Sequence, residues 1–147
     1  MRILAVLAVC LVSSPALADW QLRQSDGFAE VQFSQDDYNL VMWCDPRHGL
    51  QMTLQNTKLT SAGFEGVSSL VLWLTLPDGR TDRWPVDVTP EGPALSGRFT
   101  VSDFNLGFYK DGQNFQLDSP QTGKIFLKGG MKGTGAARLA FQEQCGI

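Results

Sequence analysis

Two cysteines constrain this chain more than any other feature of its sequence. Of its three cysteines, Cys10 lies in an apolar N-terminal stretch, whereas Cys44 and Cys145 lie far apart in the remainder. An even pair of cysteines in an exported chain is typical of a disulfide, because that compartment is oxidising. A bond between Cys44 and Cys145 would close a loop of roughly 100 residues and would stabilise the fold by about 4–5 kcal/mol in the chain-entropy model. We therefore expect the C-terminal segment to be fastened to an early strand.

The expectation of export comes from residues 1–18. This segment begins with one positive charge, continues with an apolar run too short to span a bilayer as a helix, and ends in the small-x-small pattern Ala16-Leu17-Ala18. We predict a signal peptide that is cleaved after Ala18. A lipoprotein anchored through Cys10 is a less favoured alternative, because Val9 is a poor residue just before the cysteine of a lipobox.

Residues 19–147 have the length of one ordinary domain. The predicted leader carries one of the 12 basic residues and none of the 15 acidic ones, so its removal changes the net charge from −3 to −4. A mildly acidic protein is a poor candidate for nucleic-acid binding, which depends on neutralising phosphates. No second apolar run in this sequence is long enough for a transmembrane helix. We expect a single domain, residues 19–147, without a transmembrane segment.

Short apolar runs separated by turn sequences predict a β-rich fold. Leu50, Met52 and Leu54 alternate with polar residues, which is typical of a half-buried strand, and Pro77-Asp78-Gly79 between two apolar runs is typical of a hairpin. The predicted strands are Phe28–Phe33, Tyr38–Cys44, Leu50–Leu54, Val67–Leu76, Arg80–Val88, Leu95–Val101, Phe104–Tyr109, Asn114–Leu117 and Lys124–Lys128. Pro85 cannot donate to a strand ladder, so we place its strand at a sheet edge.

One helix is predicted near the end of the chain. Ala136–Gln144 is the best helical run, with Thr134 as its N-cap and Gly146 at its end. Ala136, Leu139 and Ala140 would share its packed face, and Phe141 would widen it. Many short strands followed by one helix predict a mostly antiparallel β-sandwich or partly open barrel with one short C-terminal α-helix.

Trp84 differs from Trp43 and Trp73, which lie in apolar strands and are expected in the core. It lies in the predicted edge strand, and Trp and Arg are the residue types enriched at interface hot spots. We therefore predict a possible interaction surface made of Arg80, Arg83, Trp84, Phe108 and Tyr109, with Phe104 as a further aromatic candidate. On this interpretation Trp84→Ala weakens partner capture with little loss of stability. The alternative is that Trp84 covers the end of the core.

The sequence contains no catalytic or metal-binding motif. His48, the only histidine, follows Asp45 in a predicted turn, and an exposed turn residue is the favoured interpretation because no nucleophile or metal partner has a matching spacing. The glycine-rich run 128–135 precedes the predicted helix but lacks the P-loop pattern, so a loop with positive φ angles is favoured over an anion site. We predict no enzymatic activity, no metal and no cofactor.

A family resemblance rests on two stretches, Trp43-Cys44 and the run from Gly133 to Cys145. In these stretches the chain resembles small exported proteobacterial proteins of the invasion-associated locus B type and related type VI secretion-associated envelope proteins. The resemblance implies a β-rich domain and a Gram-negative periplasmic accessory protein that is not an enzyme. It defines no functional residues that could be transferred to this chain.

The leading functional hypothesis is a soluble binding or accessory protein of the cell envelope that acts through a sheet-edge or hairpin surface. Its partner would be an envelope protein or a small ligand. One alternative is a small-ligand carrier with a pocket between the sheets. Another is a hydrolase whose carboxylates come together only in the fold.

The disulfide prediction has a direct chemical test. Alkylation of the exported protein without prior reduction should leave Cys44 and Cys145 unmodified, because a disulfide has no thiol to react. Peptide mass spectrometry after alkylation would detect the modification. Labelled thiols at both positions would contradict the pairing.

Overall fold

The computed structural model describes residues 19–147, so the predicted signal peptide and the lipoprotein alternative lie outside the described residues. The strands are β1 (Gln21–Ser25), β2 (Phe28–Gln35), β3 (Tyr38–Asp45), β4 (Gly49–Asn56), β5 (Ser69–Thr75), β6 (Thr81–Glu91), β7 (Ala94–Phe99), β8 (Asn114–Asp118) and β9 (Ile125–Gly130); the helices are α1 (Asp103–Asp111) and α2 (Thr134–Cys145). All strand pairs are antiparallel.

The strands form one curled nine-stranded sheet, a half-barrel, in the order β1-β2-β3-β4-β7-β6-β5-β8-β9. This confirms the prediction of a mostly antiparallel β fold with a C-terminal helix. The prediction of a single helix is wrong, because a second helix, α1, precedes β8. Neither helix of the described residues is both long and apolar enough to cross a membrane.

The hairpin of β3 and β4 shows how the sequence pattern builds the core. Leu40, Met42 and Cys44 are buried and lie opposite the buried residues Leu54, Met52 and Leu50. The predicted half-buried strand over residues 50–54 is therefore confirmed. The expectation that Trp43 lies in the core is wrong, since Val41 and Trp43 point to the other face of β3 and are only half-buried.

The Pro85 strand is not at the edge of the sheet. β6 pairs with β5 over Thr81–Asp87 and then with β7 over Val88–Glu91, so it lies inside the sheet order. The ladder to β7 begins only after Pro85, which leaves one side of the Pro85 segment without a strand partner. A residue that lacks an N–H group fits there, which is why the proline signal indicated an edge.

α1 occupies the segment predicted as the strand Phe104–Tyr109. The Ser102 side chain accepts a hydrogen bond from the Asn105 amide, and the Asn105 side chain accepts one from the Ser102 amide, which forms a capping box. Leu106, Phe108 and Tyr109 are the buried residues of the helix. Asp111-Gly112 therefore ends a helix and does not form a hairpin turn.

α2 begins two residues before the predicted helical run, and only part of its predicted face is packed. Gly133, with a φ angle of 100°, is the N-cap, while the hydroxyl of Thr134 donates to the Met131 carbonyl oxygen. Ala137, Ala140 and Phe141 are buried, whereas Leu139 is exposed. Gly146, with a φ angle of 71°, ends the helix as predicted.

The sulfur atoms of Cys44 and Cys145 lie at disulfide-bond distance, with their Cα atoms 6.1 Å apart and a sequence separation of 101. The bond joins the end of α2 to β3, and α2 also packs against β1, β2 and α1. The predicted pairing is thus present in the structure, and it fastens the C-terminal helix to the concave side of the sheet.

We expect the double substitution Cys44→Ala and Cys145→Ala to lower the free energy of unfolding by about 4 kcal/mol, because the unfolded chain regains the freedom that a loop of this length removes. Urea unfolding followed by circular dichroism measures the loss. A reducing agent should destabilise the natural protein and leave the double variant unchanged. Equal stability of the two proteins without reductant would contradict the structural role of the bond.

Candidate functional site

Trp84 belongs to the core and not to the surface. It is 2% exposed, and its ring lies 5.5 Å from that of Phe99 and 5.9 Å from that of Tyr109. Its indole N–H donates to Asp82 Oδ2 at 2.7 Å, and the same oxygen accepts from Asn105 Nδ2 at 2.9 Å. The prediction of Trp84 as an exposed interaction residue is wrong, because inward residues of β6 pack under α1. Asp82 instead links β6 to α1.

Tyr109 is also buried, so its predicted place on an interaction surface is wrong. Its ring lies 5.6 Å from the Trp20 ring and 6.2 Å from the Phe141 ring, which connects α1 to α2. Its hydroxyl has no hydrogen-bond partner within residues 19–147. Burial raises the pKa of this phenol well above its ordinary value, since the phenolate would lose its hydration.

Arg80 and Phe108, two other predicted surface residues, do come together. The guanidinium carbon of Arg80 lies 5.9 Å from the centroid of the Phe108 ring, and the Phe104 ring lies 5.3 Å from the same ring. Phe104 is 70% exposed, whereas Phe108 is 8% exposed and supports it from below. The tip of the β5–β6 hairpin and the outer side of α1 therefore form one aromatic and basic surface.

A shallow cavity of about 270 Å³ lies in this surface. We call it the hairpin–helix cavity, and it is lined by Leu76, Arg80, Asp103, Phe104, Gly107, Phe108 and Asp111. Its lining combines apolar side chains with the charged side chains of Arg80, Asp103 and Asp111, which we call the rim of the cavity. A combination of aromatic, apolar and charged groups is typical of protein–protein interfaces.

Gly107 is the unusual residue of the cavity. It lies inside α1, where glycine costs about 1 kcal/mol relative to alanine. Its φ angle is not in the positive range, and a Cβ atom at this position would meet no atom within 4 Å. Neither backbone conformation nor close packing therefore requires glycine here. Its effect is to leave one position of the α1 wall, between Phe104 and Phe108, without a side chain.

The charges of the rim are held by neighbouring residues. Arg80 Nε donates to Asp78 Oδ2 at 2.8 Å, and the Arg80 backbone amide and this side chain lower the pKa of Asp78. On the α1 side, Asp103 lies 3.2 Å from an Arg138 guanidinium nitrogen. Asp78, Arg80 and Asp103 are exposed, so these pairs contribute little stability, but they hold charged groups at the edge of the cavity.

Arg83, the last predicted surface residue, lies elsewhere. Its guanidinium carbon is 5.7 Å from the centroid of the Trp73 ring on the outer face of the sheet. Trp73 is half-buried there, which corrects the expectation that it lies in the core. The predicted interaction residues are thus divided among the core, the hairpin–helix cavity and the outer face.

His48 lies in the exposed turn between β3 and β4, as predicted. Its Nδ1 is 2.7 Å and 2.9 Å from the two carboxylate oxygens of Asp45, and the backbone amides of Arg47 and His48 also donate to that carboxylate. The hydrogen bond to the His48 side chain is the main cause of the lowered pKa of Asp45. Together these hydrogen bonds shape a tight turn.

Within residues 19–147, no group of three or more His, Cys, Asp or Glu side chains is placed to hold a metal ion. Comparisons of the chain with known protein families, with characterised proteins and with solved structures give no match. The resemblance in the Trp43-Cys44 and Gly133–Cys145 stretches therefore stays a prediction. The functional argument rests on the geometry of the described residues.

Because Trp84 is buried, the substitution Trp84→Ala should mainly affect stability, and not partner capture as its sequence context suggested. Trp84→Ala should lower the free energy of unfolding by about 3–5 kcal/mol, because it empties a large buried site and leaves Asp82 without its indole donor. Trp43→Ala is the matched control and should cost clearly less, since Trp43 is half-exposed. Chemical denaturation measures both values. A loss below 1 kcal/mol for Trp84→Ala would contradict the packed position.

Proposed function

We propose that this chain is an exported accessory protein of the cell envelope that binds a partner protein through the hairpin–helix cavity. The observation that carries the proposal is the exposed Phe104 ring beside a cavity that Gly107 keeps open. A single exposed apolar side chain is ordinary, but an exposed aromatic ring next to a cavity and an arginine is typical of an interface.

Export is supported by two independent features. The Cys44–Cys145 pair at bonding distance fits an oxidising compartment such as the periplasm. The N-terminal sequence has the charge, the apolar run and the small-x-small pattern of a signal peptide. Both features, together with the family resemblance, support a cell-envelope location.

The size and lining of the cavity define the partner. A volume of about 270 Å³ is small, so it suits one apolar side chain and not a whole ligand. Such an anchor from a partner protein would pack against Phe104 and Phe108 and would replace water beside Gly107. The charged rim would then bond to polar groups around the anchor, as in the hydrophobic centre and polar periphery of transient interfaces.

The test uses two variants that change the cavity in opposite ways. Gly107→Leu fills the open side of the cavity and replaces a helix-breaking residue, so it should keep or raise stability while abolishing partner binding. Phe104→Ser removes the exposed ring and should weaken binding at least about tenfold, or roughly 1.4 kcal/mol. Leu59→Ser is the matched control, because Leu59 is as exposed as Phe104, at 71%, and lies in the loop between β4 and β5.

Binding is measured in two steps. Envelope proteins captured on the natural protein are identified by mass spectrometry, and the affinity of the purified candidate partner is then determined for every variant by calorimetry. Loss of binding in Gly107→Leu and Phe104→Ser, with unchanged binding in Leu59→Ser, is the expected result. A partner that binds all four proteins equally would refute the assignment of this cavity.

A further inference from the structure

A second and larger depression lies on the outer face of the sheet, away from the hairpin–helix cavity. It is a groove of about 760 Å³ that runs over β5, β8 and β9. Its main side chains are Trp73, Asn114, Gln116, Asp118 and Lys128, and Gln35 lies at its far wall. Because β5 and β8 are distant in sequence, the groove exists only through the pairing of these strands.

The strand register places a row of side chains across the groove. Arg83 is opposite Trp73, Trp73 is opposite Gln116, and Gln116 is opposite Lys128. Adjacent strands are about 4.8 Å apart, so the row spans roughly 15 Å. This length and the open shape suit an elongated ligand that lies flat on the sheet.

The groove combines one aromatic ring with hydrogen-bond donors and acceptors. Trp73 offers a half-buried indole ring, and Arg83 lies against it. Gln116 Nε2 donates to Asp118 Oδ2 at 2.8 Å, which orients both groups and leaves their other oxygens as acceptors. Lys128 makes no salt bridge among the described residues and supplies donors at the other side.

The charge of the lining favours a neutral ligand. Within the lining, the Asp118 carboxylate and the Lys128 ammonium group balance each other, and amide side chains provide further donors and acceptors. The guanidinium of Arg83 lies at the border of the groove and is turned onto the Trp73 ring. Asp118 would repel a strongly anionic ligand, and Lys128 would repel a strongly cationic one. A ligand with many hydroxyl groups and no net charge can bond to all of these side chains.

The edge of the sheet at this groove does not favour the addition of a peptide strand. The backbone amide of Lys128 donates to Gln35 Oε1 at 3.1 Å, and the Gly130 carbonyl accepts from the Trp20 indole at 3.1 Å. A peptide that joined the sheet beside β9 would need these backbone groups. They are already used, so recognition must come from side chains on the face of the sheet.

We propose that this groove binds an uncharged oligosaccharide. A pyranose ring has an apolar C–H face and a rim of hydroxyl groups, which matches an indole ring bordered by amides, a carboxylate and an ammonium group. In this assignment one sugar ring stacks on Trp73, and hydroxyls of the same or the next ring bond to Gln116, Asp118 and Asn114. Lys128 bonds to a neighbouring sugar through its ammonium hydrogens.

The test titrates the purified protein with cellotetraose and chitotetraose, two neutral tetrasaccharides, and with oligogalacturonate as an acidic comparison. Calorimetry gives the affinities, and amide chemical shifts locate the site. At least one neutral tetrasaccharide should bind and shift residues of β5, β8 and β9. Trp73→Ala should weaken that binding at least about tenfold, equal to roughly 1.4 kcal/mol, and Asn114→Ala, at an exposed position, should weaken it severalfold.

Trp43→Ala is the matched control, since Trp43 is a half-buried tryptophan on the outer face of β3 that stacks with Phe28 and does not line the groove. Its affinity should stay unchanged. Binding of neither neutral tetrasaccharide, equal affinity in Trp73→Ala, or a preference for oligogalacturonate would overturn the proposal. Partner capture through the hairpin–helix cavity is measured separately with Phe104→Ser. Each of the two sites is therefore tested by its own variants, and a negative result at one site does not affect the result at the other.

Discussion

The covalent link between Cys44 and Cys145 is the constraint on which the rest of the structure depends. A lone helix of twelve residues is marginal in water, and α1, with nine, is shorter still. The disulfide holds α2 on β3, and α2 in turn supports α1 through the contact between Phe141 and Tyr109. The hairpin–helix cavity forms only when α1 is held against the β5–β6 hairpin. The candidate interface is therefore tied to a bond at the far end of the chain.

The local sequence pattern was sufficient to predict the strands where two consecutive segments form one hairpin. The alternation at residues 50–54 and the Pro77-Asp78-Gly79 turn predicted the right strands, because period-two burial and turn chemistry are local properties. The prediction of a strand at the α1 segment was wrong for a physical reason. Phe104, Leu106 and Phe108 also alternate, and the helix is selected by the Ser102–Asn105 capping box, which uses Asn where the usual pattern has Glu or Gln.

The tryptophans show what sequence context cannot decide. Trp43 and Trp73 lie in the most apolar strands and are half-exposed, whereas Trp20 and Trp84 lie among polar residues and are buried. Which face of a strand is covered depends on the curl of the whole sheet and on the helices beneath it. A shift of one residue in register would exchange the two faces. For the same reason the Trp73–Gln116–Lys128 row could not be found before the pairing of β5 with β8 was known.

The alternation of β6 separates the two proposed binding sites. Inward residues such as Trp84 fill the core under α1, while the outward residue Arg83 borders the groove and Arg80, just before the strand, borders the cavity. The two surfaces share one hairpin but no lining residue. A protein partner at the cavity therefore leaves the groove open, so a chain held at one site could still bind an oligosaccharide at the other. Simultaneous occupation requires only that the partner stay on the α1 side of the hairpin.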